Sequence, residues 1–445
     1  MVMSAEQQAL LTQTGPGTPM GDVFRRYWLP ACLSERVPEP DCPPVAIKLL
    51  SERLVVFRDS QGQVGILDEA CPHRGASLAY GLCENGTLTC VYHGWKFDTS
   101  GCVVEAPGEL RPTEFGKNIP PTGYPVHEAG GIVWIYMGPK GTEPPFPKWR
   151  FCDMDAEDLL AVHYLQSTNY LQAIEGDVDA VHASYLHLDR KAFNERHTTQ
   201  SAGINFAPIF GFDRAPKGRV FHTDWGVDTV WQSAIEDPER PGEVHPGLHG
   251  YLIHPFILPV NTIVAGGALG PYIWHAFVPV DDEHHMIYYV HYDPDQPMTP
   301  EVRADVIRYF GHRFDAEYRP LGNLENRHFQ DRSLQREGWL TGVDGIAAQD
   351  IMINQSCGTL VDRTKEHLGA EDVGVVALRK CLLRAIEAVQ AGQDPPRVNA
   401  EEYADLDGYV AIVPTEMGWK DVKHGAMPLP WKAAPSSVEE ELTRS

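Results

Sequence analysis

Short apolar runs separated by polar turns fill the chain between about residues 45 and 137. Runs of four to seven β-branched or apolar residues, bounded by Gly, Asp and Ser, are typical of short strands joined by hairpins. Strands are predicted at residues 44–50, 54–57 and 64–67, with hairpin turns at 59–62 and 98–101. The pattern indicates a small all-β unit.

The pattern changes after residues 138–147, a stretch rich in Gly and Pro that is typical of a linker. Apolar periodicity then predicts helices and a second group of strands. The predicted helices are 23–29, 168–188, 300–316 and 373–391, and strands are predicted across 204–292, including 272–280 and 286–290. Helices and strands in separate blocks indicate an α+β chain.

The chain has 445 residues, of which 43% are hydrophobic and 22% charged, so it is long enough for two globular domains. Its 37 basic and 61 acidic residues give a formal net charge of −24. This acidity argues against nucleic acid and anionic membranes as partners. The first eleven residues show neither the basic head nor the apolar run of a signal peptide, and no apolar run has transmembrane length. We therefore expect a cytoplasmic protein. Of its nine cysteines, the seven other than Cys71 and Cys90 are expected to be free thiols.

Two cysteines and two histidines lie in two short segments, Cys71-Pro-His73 and Cys90-Val-Tyr-His93, sixteen residues apart. This is the ligand set of a Rieske [2Fe–2S] cluster. A structural zinc site is the alternative, but zinc prefers Cys-x2–4-Cys, and the first pair here is Cys-x-His. Ala76 and Tyr92 occupy the positions of the disulfide cysteines in respiratory Rieske proteins, which indicates a potential near about −150 mV.

A second group of metal-ligand residues lies within residues 169–187, where His182 and His187 accompany several carboxylates. Two histidines and one carboxylate are the ligands of non-haem iron(II) oxygenases. On an ideal helix the two imidazoles would point about 140° apart. We therefore expect the helix to bulge or end between His182 and His187.

Cys-x-His-x16-Cys-x2-His followed by Asp-x2-His-x4-His resembles the oxygenase component of the Rieske non-haem iron ring-hydroxylating oxygenases. Residues 12–20, 25–30, 169–173 and 362–369 resemble the phthalate dioxygenase branch in particular. The resemblance covers nearly the whole chain. It implies one Rieske cluster held by Cys71, His73, Cys90 and His93, one mononuclear Fe(II) per chain, and O2 as co-substrate.

The resemblance also implies the domain organisation of an α+β fold. A small all-β Rieske domain precedes a larger catalytic domain with a central antiparallel sheet surrounded by helices. The expected boundaries are an N-terminal segment at 1–40 that packs with the catalytic domain, the Rieske domain at 41–140, a linker at 141–150, the catalytic domain at 151–434 and a flexible tail at 435–445.

By the same resemblance, His182, His187 and Asp350 bind the mononuclear iron, although the sequence itself does not choose Asp350 over Asp344. Asp179 is the expected bridge from an iron histidine to a cluster histidine of a neighbouring chain, with Asp177 and Glu175 as alternatives. Asn169 is a further catalytic candidate. The bridge implies a head-to-tail homotrimer or stacked trimers. Electrons are expected from a separate NADH-dependent reductase, directly or through a ferredoxin.

The expected reaction is hydroxylation, most simply cis-dihydroxylation, of a small aromatic substrate, first of all an aromatic carboxylate. Phe256 and Trp274 are candidate pocket residues, and Arg214 is the candidate partner of the carboxylate. By the resemblance, relatives that act on phthalate are expected to carry an arginine in the strand at residues 229–235. This chain has no arginine there, which argues against phthalate itself as the substrate. Oxidative O- or N-demethylation is an alternative within the class, and a Rieske-type electron carrier without catalysis is the alternative outside it.

Overall fold

The structure, a computed structural model, describes residues 3–187, 200–201, 204–205, 212–264, 272–309, 314–337 and 339–422. The helices are α1 (Ala5–Thr12), α2 (Pro19–Phe24), α3 (Pro112–Phe115), α4 (Tyr170–Asp177), α5 (Pro300–Tyr309), α6 (Arg332–Glu337), α7 (Ile346–Ser356), α8 (Val373–Gln390) and α9 (Trp419–Val422). Short 3₁₀ turns lie at Ser34–Arg36, Leu78–Tyr80, Gly116–Asn118, Arg150–Asp153, His182–Ser184, Arg327–Phe329 and Arg363–Lys365.

The strands fall into an N-terminal and a C-terminal group. The first group is β1 (Trp28–Leu33), β2 (Val45–Leu49), β3 (Glu52–Arg58), β4 (Val64–Asp68), β5 (Leu82–Glu84), β6 (Thr87–Thr89), β7 (Lys96–Phe97), β8 (Val103–Glu105), β9 (Val126–Ala129) and β10 (Ile132–Tyr136). The second group is β11 (Leu159–Gln166), β12 (Gln200–Ser201), β13 (Ile204–Asn205), β14 (Lys217–His222), β15 (Gly226–Glu236), β16 (Val244–Ile257), β17 (Asn261–Val264), β18 (Tyr272–Pro279), β19 (His285–Tyr292) and β20 (Tyr409–Pro414).

The predicted all-β unit is confirmed. Strands β2, β3 and β4 form one antiparallel sheet, and β5 to β8 form another. Apolar side chains from both sheets, among them Val55, Phe57, Leu88 and Phe97, make a separate buried core that also contains the two motif cysteines. The predicted hairpin turns at residues 59–62 and 98–101 join β3 to β4 and β7 to β8.

The larger unit is built on an eight-stranded antiparallel sheet, as expected for the α+β fold. The strand order is β11-β19-β18-β17-β16-β15-β14, with β20 paired to β16. Helices α4 and α8 pack against the sheet, and α7 packs against α4. Because α4 lies across β18, the residues that follow α4 are held close to the middle of the sheet.

The N-terminal segment joins the two units. Strand β1 pairs with β10, which pairs with β9, and Leu33 lies directly opposite Ile132 in this ladder. Helices α1 and α2 pack against α8 of the larger unit. The chain thus leaves the larger unit after Leu33, forms the all-β unit, and returns beside its point of departure.

Two predicted helices differ from the structure. The helix expected at 23–29 ends at Phe24, and Trp28 begins β1. The helix expected at 168–188 is α4, which ends at Asp177, before His182. The Asp179 carboxylate accepts a 2.8 Å hydrogen bond from the Val181 backbone N–H, and such local bonds compete with helix continuation.

Other predicted segments agree only in part. Helix α5 is described from Pro300 to Tyr309, residues 310–313 of the predicted helix lie outside the described residues, and residues 314–316 are not helical. Residues 423–445, which include the predicted tail, also lie outside the described residues. Among the described helices, none combines the length and apolar character needed to cross a membrane.

Candidate metal centres and active site

The two Cys/His loops have the same backbone geometry. The Cys71 N–H donates to the Ala76 carbonyl, and the Gly75 N–H donates to the Cys71 carbonyl, both at 2.8 Å. The second loop repeats both bonds with Cys90, Trp95 and Gly94, at 2.8 and 2.9 Å. Each loop turns through a glycine in the left-handed region, with φ of 74° and 73°, a conformation that side chains with a Cβ rarely adopt.

The four side chains of these loops are arranged with thiols inside and imidazoles outside. Cys71 and Cys90 are buried, whereas His93 is exposed, and the rings of His73 and His93 lie 4.5 Å apart. Trp95 stacks on His73 with 4° between the ring planes, which fixes that imidazole. Burial raises the pKa of Cys71 to about 11, so a thiolate there requires nearby positive charge. The donor set and its layering fit a Rieske [2Fe–2S] cluster.

A second set of donor atoms converges between α4 and α7. The Nε2 atoms of His182 and His187 lie 3.1 Å apart, and Asp350 Oδ1 lies 3.3 Å from His187 Nε2 and 3.9 Å from His182 Nε2. Ligands at about 2.1 Å from one ion and at right angles lie about 3.0 Å apart. The triangle is therefore close to that of three ligands on one face of an ion, and these residues form the metal-binding group found among the described residues.

Hydrogen bonds fix the tautomers of both histidines. His182 Nδ1 lies 2.5 Å from the Asp179 carbonyl oxygen, which only accepts, so Nδ1 carries the proton. His187 Nδ1 lies 2.8 Å from Gln349 Oε1, and Gln349 Nε2 donates to the Val343 carbonyl at 2.8 Å, which orients the amide. In the neutral form of each imidazole, Nε2 therefore presents a lone pair toward Asp350, and contact with this carboxylate raises the pKa of His187 despite burial. A metal cation bound by these three atoms would satisfy all of them, so the donor set fits a mononuclear iron site.

The remaining acidic candidates lie in different surroundings. Asp179 has 26% of its side chain exposed, and its Oδ2 lies 3.8 Å from His182 Nδ1. Glu175 is buried in ion pairs with Arg363 and Arg379, which hold its pKa below the usual value despite burial. Asp344 is exposed in the turn before α7 and does not join the histidines. The surroundings of Asp179, Glu175 and Asp344 in the structure therefore distinguish three acids that the sequence could not.

The assignment of Asn169 as a catalytic residue needs correction. Its side chain is fully buried and caps α4, with Oδ1 accepting from the Leu171 N–H at 3.1 Å. Its amide nitrogen donates to the carbonyls of Thr12 and Asp282 at 3.0 and 2.7 Å. Because every polar atom of this side chain is used to hold α4 and the N-terminal segment, Asn169 is a structural residue.

A cavity with about 330 Å³ of empty volume adjoins the second donor set. Its polar wall consists of Gln166, Asp177, His182, Asp350 and Asn354. Its apolar wall includes Tyr164, Ala173, Phe277, Ile287 and Tyr289. The cavity therefore presents both polar and apolar surface beside the second donor set.

The predicted substrate residues do not line this cavity. Trp274 is buried on the other face of β18, 5.2 to 5.6 Å in ring separation from Phe151, Trp149 and Trp134. Phe277, three residues along the strand, is on the cavity side because successive side chains alternate between faces. Phe256 is likewise fully buried in the core. These two assignments are wrong because the sequence did not reveal which face carries the cavity.

Arg214 is exposed and lies outside the cavity wall. Its guanidinium stands 5.9 Å from the centre of the Tyr185 ring, and Tyr185 lies between the two iron-site histidines in sequence. Arg214 therefore lies beside the loop from His182 to His187. From this position outside the cavity it does not make the expected contact with a substrate carboxylate.

Gln349 and Gln166 were missed in the sequence, and Asp177 was considered only as an alternative bridge between the metal sites. Gln349 orients His187, as described above. Asp177 lies on the cavity wall and is contacted by His275, with Nδ1 at 3.0 Å, and by the Thr262 hydroxyl. Gln166 lies on the same wall. Only Gln349, directly before Asp350, carried a signal in its position, because residues next to a ligand often support another ligand.

Comparisons with known proteins cover nearly the whole chain. The Rieske [2Fe-2S] domain family matches residues 27–116, and the family described as "LigXa C-terminal domain like" matches residues 135–444. The phthalate 4,5-dioxygenase oxygenase subunit of Pseudomonas putida is 34% identical over 423 residues, which are 94% of each chain. The 3-chlorobenzoate-3,4-dioxygenase oxygenase subunit of Comamonas testosteroni is 31% identical and covers 92% of this chain and 95% of its own.

Two further similarities bear on chemistry and fold. The 5,5'-dehydrodivanillate O-demethylase oxygenase subunit of Sphingobium sp. is 28% identical over 89% of this chain and 84% of its own. The crystal structure of dicamba monooxygenase bound to dicamba superposes with a TM-score of 0.57 at 18% identity, over 83% of this chain and 99% of that chain. The structural likeness supports the two-unit fold.

Proposed function

The chain belongs to the Rieske non-haem iron oxygenases, as their oxygenase component, and we propose that it uses O2 and electrons originating from NADH to hydroxylate an aromatic substrate. The convergence of two Nε2 lone pairs and the Asp350 carboxylate beside a partly apolar cavity is the observation that carries this proposal. Electrons would come from a separate reductase, directly or through a ferredoxin. When bound, the cluster supplies single electrons and the Fe(II) activates O2.

The protein's own residues would perform the positioning. His182 and His187 hold their protons at Nδ1, so both Nε2 atoms stay available to the metal. Phe277 and Ile287 line the apolar wall against which an aromatic ring would lie. The apolar side chains of this wall would keep bulk water from the covered face of a bound ring, which would limit unproductive reduction of O2.

Asp179 is the proposed link between the two metal sites. Its carboxylate is half-buried and faces the protonated Nδ1 of His182, and its backbone carbonyl accepts from that same nitrogen. The exposed position of His93 would allow a cluster histidine from another copy to approach this carboxylate. The arrangement supports a head-to-tail homotrimer, alone or stacked in pairs, in which each active centre uses two chains.

Two substrate classes have support from different observations. Relatives named for phthalate and 3-chlorobenzoate support a ring carrying a carboxylate, hydroxylated to a cis-dihydrodiol. A relative named as an O-demethylase supports oxidative demethylation of an aryl ether. Both reactions use the same metal centres and differ in the bond that is presented to the iron.

The test is the iron and acid-labile sulfide content of anaerobically purified protein, together with O2-dependent product formation. Three irons and two sulfides per chain are expected. Two irons and two sulfides, unchanged after Fe(II) is added back, would make the protein an electron carrier. Zinc without sulfide would exclude both metal sites as proposed.

A further inference from the structure

Gln166 is a buried side chain whose amide has no partner among the described residues. Its exposed fraction is 1%, and neither Nε2 nor Oε1 makes a hydrogen bond there. Burying an amide without partners is costly, and folded proteins keep few such groups. An unmatched donor and acceptor on one side chain therefore mark a position where a ligand can supply both partners.

The position of Gln166 connects it to the iron site. It is the last residue of β11 and lines the cavity together with His182 and Asp350. Tyr164, two residues earlier, is on the same face of the strand and also lines the cavity. Ile287, from the neighbouring β19, and Phe277, from β18 beyond it, provide apolar surface on the same cavity wall. The cavity thus combines apolar surface with the unpartnered amide of Gln166, which can fix the orientation of a bound ring.

The charge of the cavity wall disfavours an anion. The Asp177 carboxylate has 15% of its surface accessible and is contacted by His275 Nδ1 at 3.0 Å and by the Thr262 hydroxyl. Despite burial, the imidazoles of His275 and of His254, whose Nε2 lies 3.4 Å from the carboxylate, hold the pKa of Asp177 well below its usual value, so it stays ionised. Among the described residues that line the cavity, none is Lys or Arg. A substrate carboxylate in the cavity would therefore lie near the Asp177 carboxylate, with no lysine or arginine on the described wall to pair with it.

We propose that Gln166 orients the aromatic substrate by bonding one uncharged ring substituent that offers both a donor and an acceptor. A carboxamide has this character, as does a hydroxyl next to a methoxy group. Nε2–H would donate to the substituent's oxygen and Oε1 would accept its N–H or O–H. The inference rests on the proposed function, because it assumes that the substrate ring occupies the cavity beside the iron site, and it narrows the substrate away from carboxylates.

Benzamide and benzoate are matched probes, since they have nearly the same shape and differ in charge. We would measure their binding by calorimetry to the anaerobic, iron-loaded full chain. The wild type should bind benzamide at least about tenfold more tightly than benzoate. Gln166→Leu should lose about 10- to 100-fold in benzamide affinity and little in benzoate affinity. Gln390→Leu, at the exposed end of α8, is the matched control and should behave as the wild type.

Three results would overturn the proposal: benzoate bound as tightly as benzamide, unchanged benzamide affinity in Gln166→Leu, or no binding of either probe to the wild type. Gln166→Met, which keeps the length of the side chain, replaces the leucine variant if that protein does not fold. Because these measurements involve no turnover, they can fail while metal content and O2-dependent product formation still support the proposed function.

Discussion

Replacing Gln349 with leucine should weaken Fe(II) binding at the mononuclear site. Gln349 is 2% exposed, and its Oε1 accepts the Nδ1 proton of His187 at 2.8 Å. Without this acceptor, His187 can move its proton to Nε2, the atom that faces the metal. The leucine also leaves the Val343 carbonyl without its 2.8 Å partner, which loosens the start of α7 and with it Asp350.

The expected loss of metal affinity in Gln349→Leu can be estimated from the ligand contacts that the variant keeps. Removing the hydrogen-bond partner of one ligating histidine costs about 10- to 100-fold in metal affinity. This corresponds to about 1.4 to 2.7 kcal/mol of binding free energy. The loss should stay within this range because His182 keeps its own support from the Asp179 carbonyl.

The measurement is an anaerobic competition titration of Fe(II) against a chelator, with the cluster spectrum recorded to show that the Rieske site is intact. Gln355→Leu, on the same helix but outside the cavity wall and the metal-binding group, is the control and should bind iron as the wild type does. An affinity for Gln349→Leu within twofold of the wild type would refute the argument that this amide supports His187.

Three further outcomes can be checked. His182→Ala should keep two irons, two sulfides and the cluster spectrum per chain while product formation falls to background; retained turnover would exclude the mononuclear site. Burial lowers the pKa of His163 to about 3, below the unfolded value near 6.5, so the unfolded state binds more protons between these values and stability falls as pH falls. The free energy of unfolding, measured by urea titration between pH 6 and 4, should therefore depend on pH less steeply in His163→Leu, by about 1.4 kcal/mol per pH unit. An unchanged slope would contradict the low pKa of His163. Glu175→Gln should destabilise the protein by about 3 to 5 kcal/mol in urea unfolding, because Arg363 and Arg379 stay buried, whereas the exposed Glu387→Gln should change stability little.

The sequence predicted what local spacing determines. The Cys71 and Cys90 loops could be identified because each is closed by bonds within six residues. The α+β order and the long helix near residues 373–391 also followed from apolar periodicity, and the structure confirms both. The helix was expected to bulge or end between His182 and His187, but α4 ends earlier, at Asp177, because the turn at Asp179 depends on a single side-chain bond that residue spacing does not reveal.

Long-range packing decided the rest. Asp177 meets His275 across 98 residues, and Gln166 reaches the cavity only because β11 pairs with β19 at the edge of the sheet. Trp274 and Phe277 belong to one predicted strand, but which of them faces the cavity depends on the helix that covers β18. Asn169 was mistaken for a catalytic group because the sequence alone does not distinguish an asparagine that caps a helix from an asparagine in an active site.

The pairing of Leu33 with Ile132 places the two ends of the cluster-bearing excursion on adjacent strands, about 5 Å apart. A segment with neighbouring ends can be exchanged as one unit, because both junctions lie on one ladder. A substitute must match that spacing and also the contacts that the segment makes with the larger unit, such as the hydrogen bond from the Leu50 N–H to the Pro279 carbonyl. Grafting residues 34–131 from a relative would then exchange the surface offered to an electron donor while keeping the cavity residues of the recipient chain.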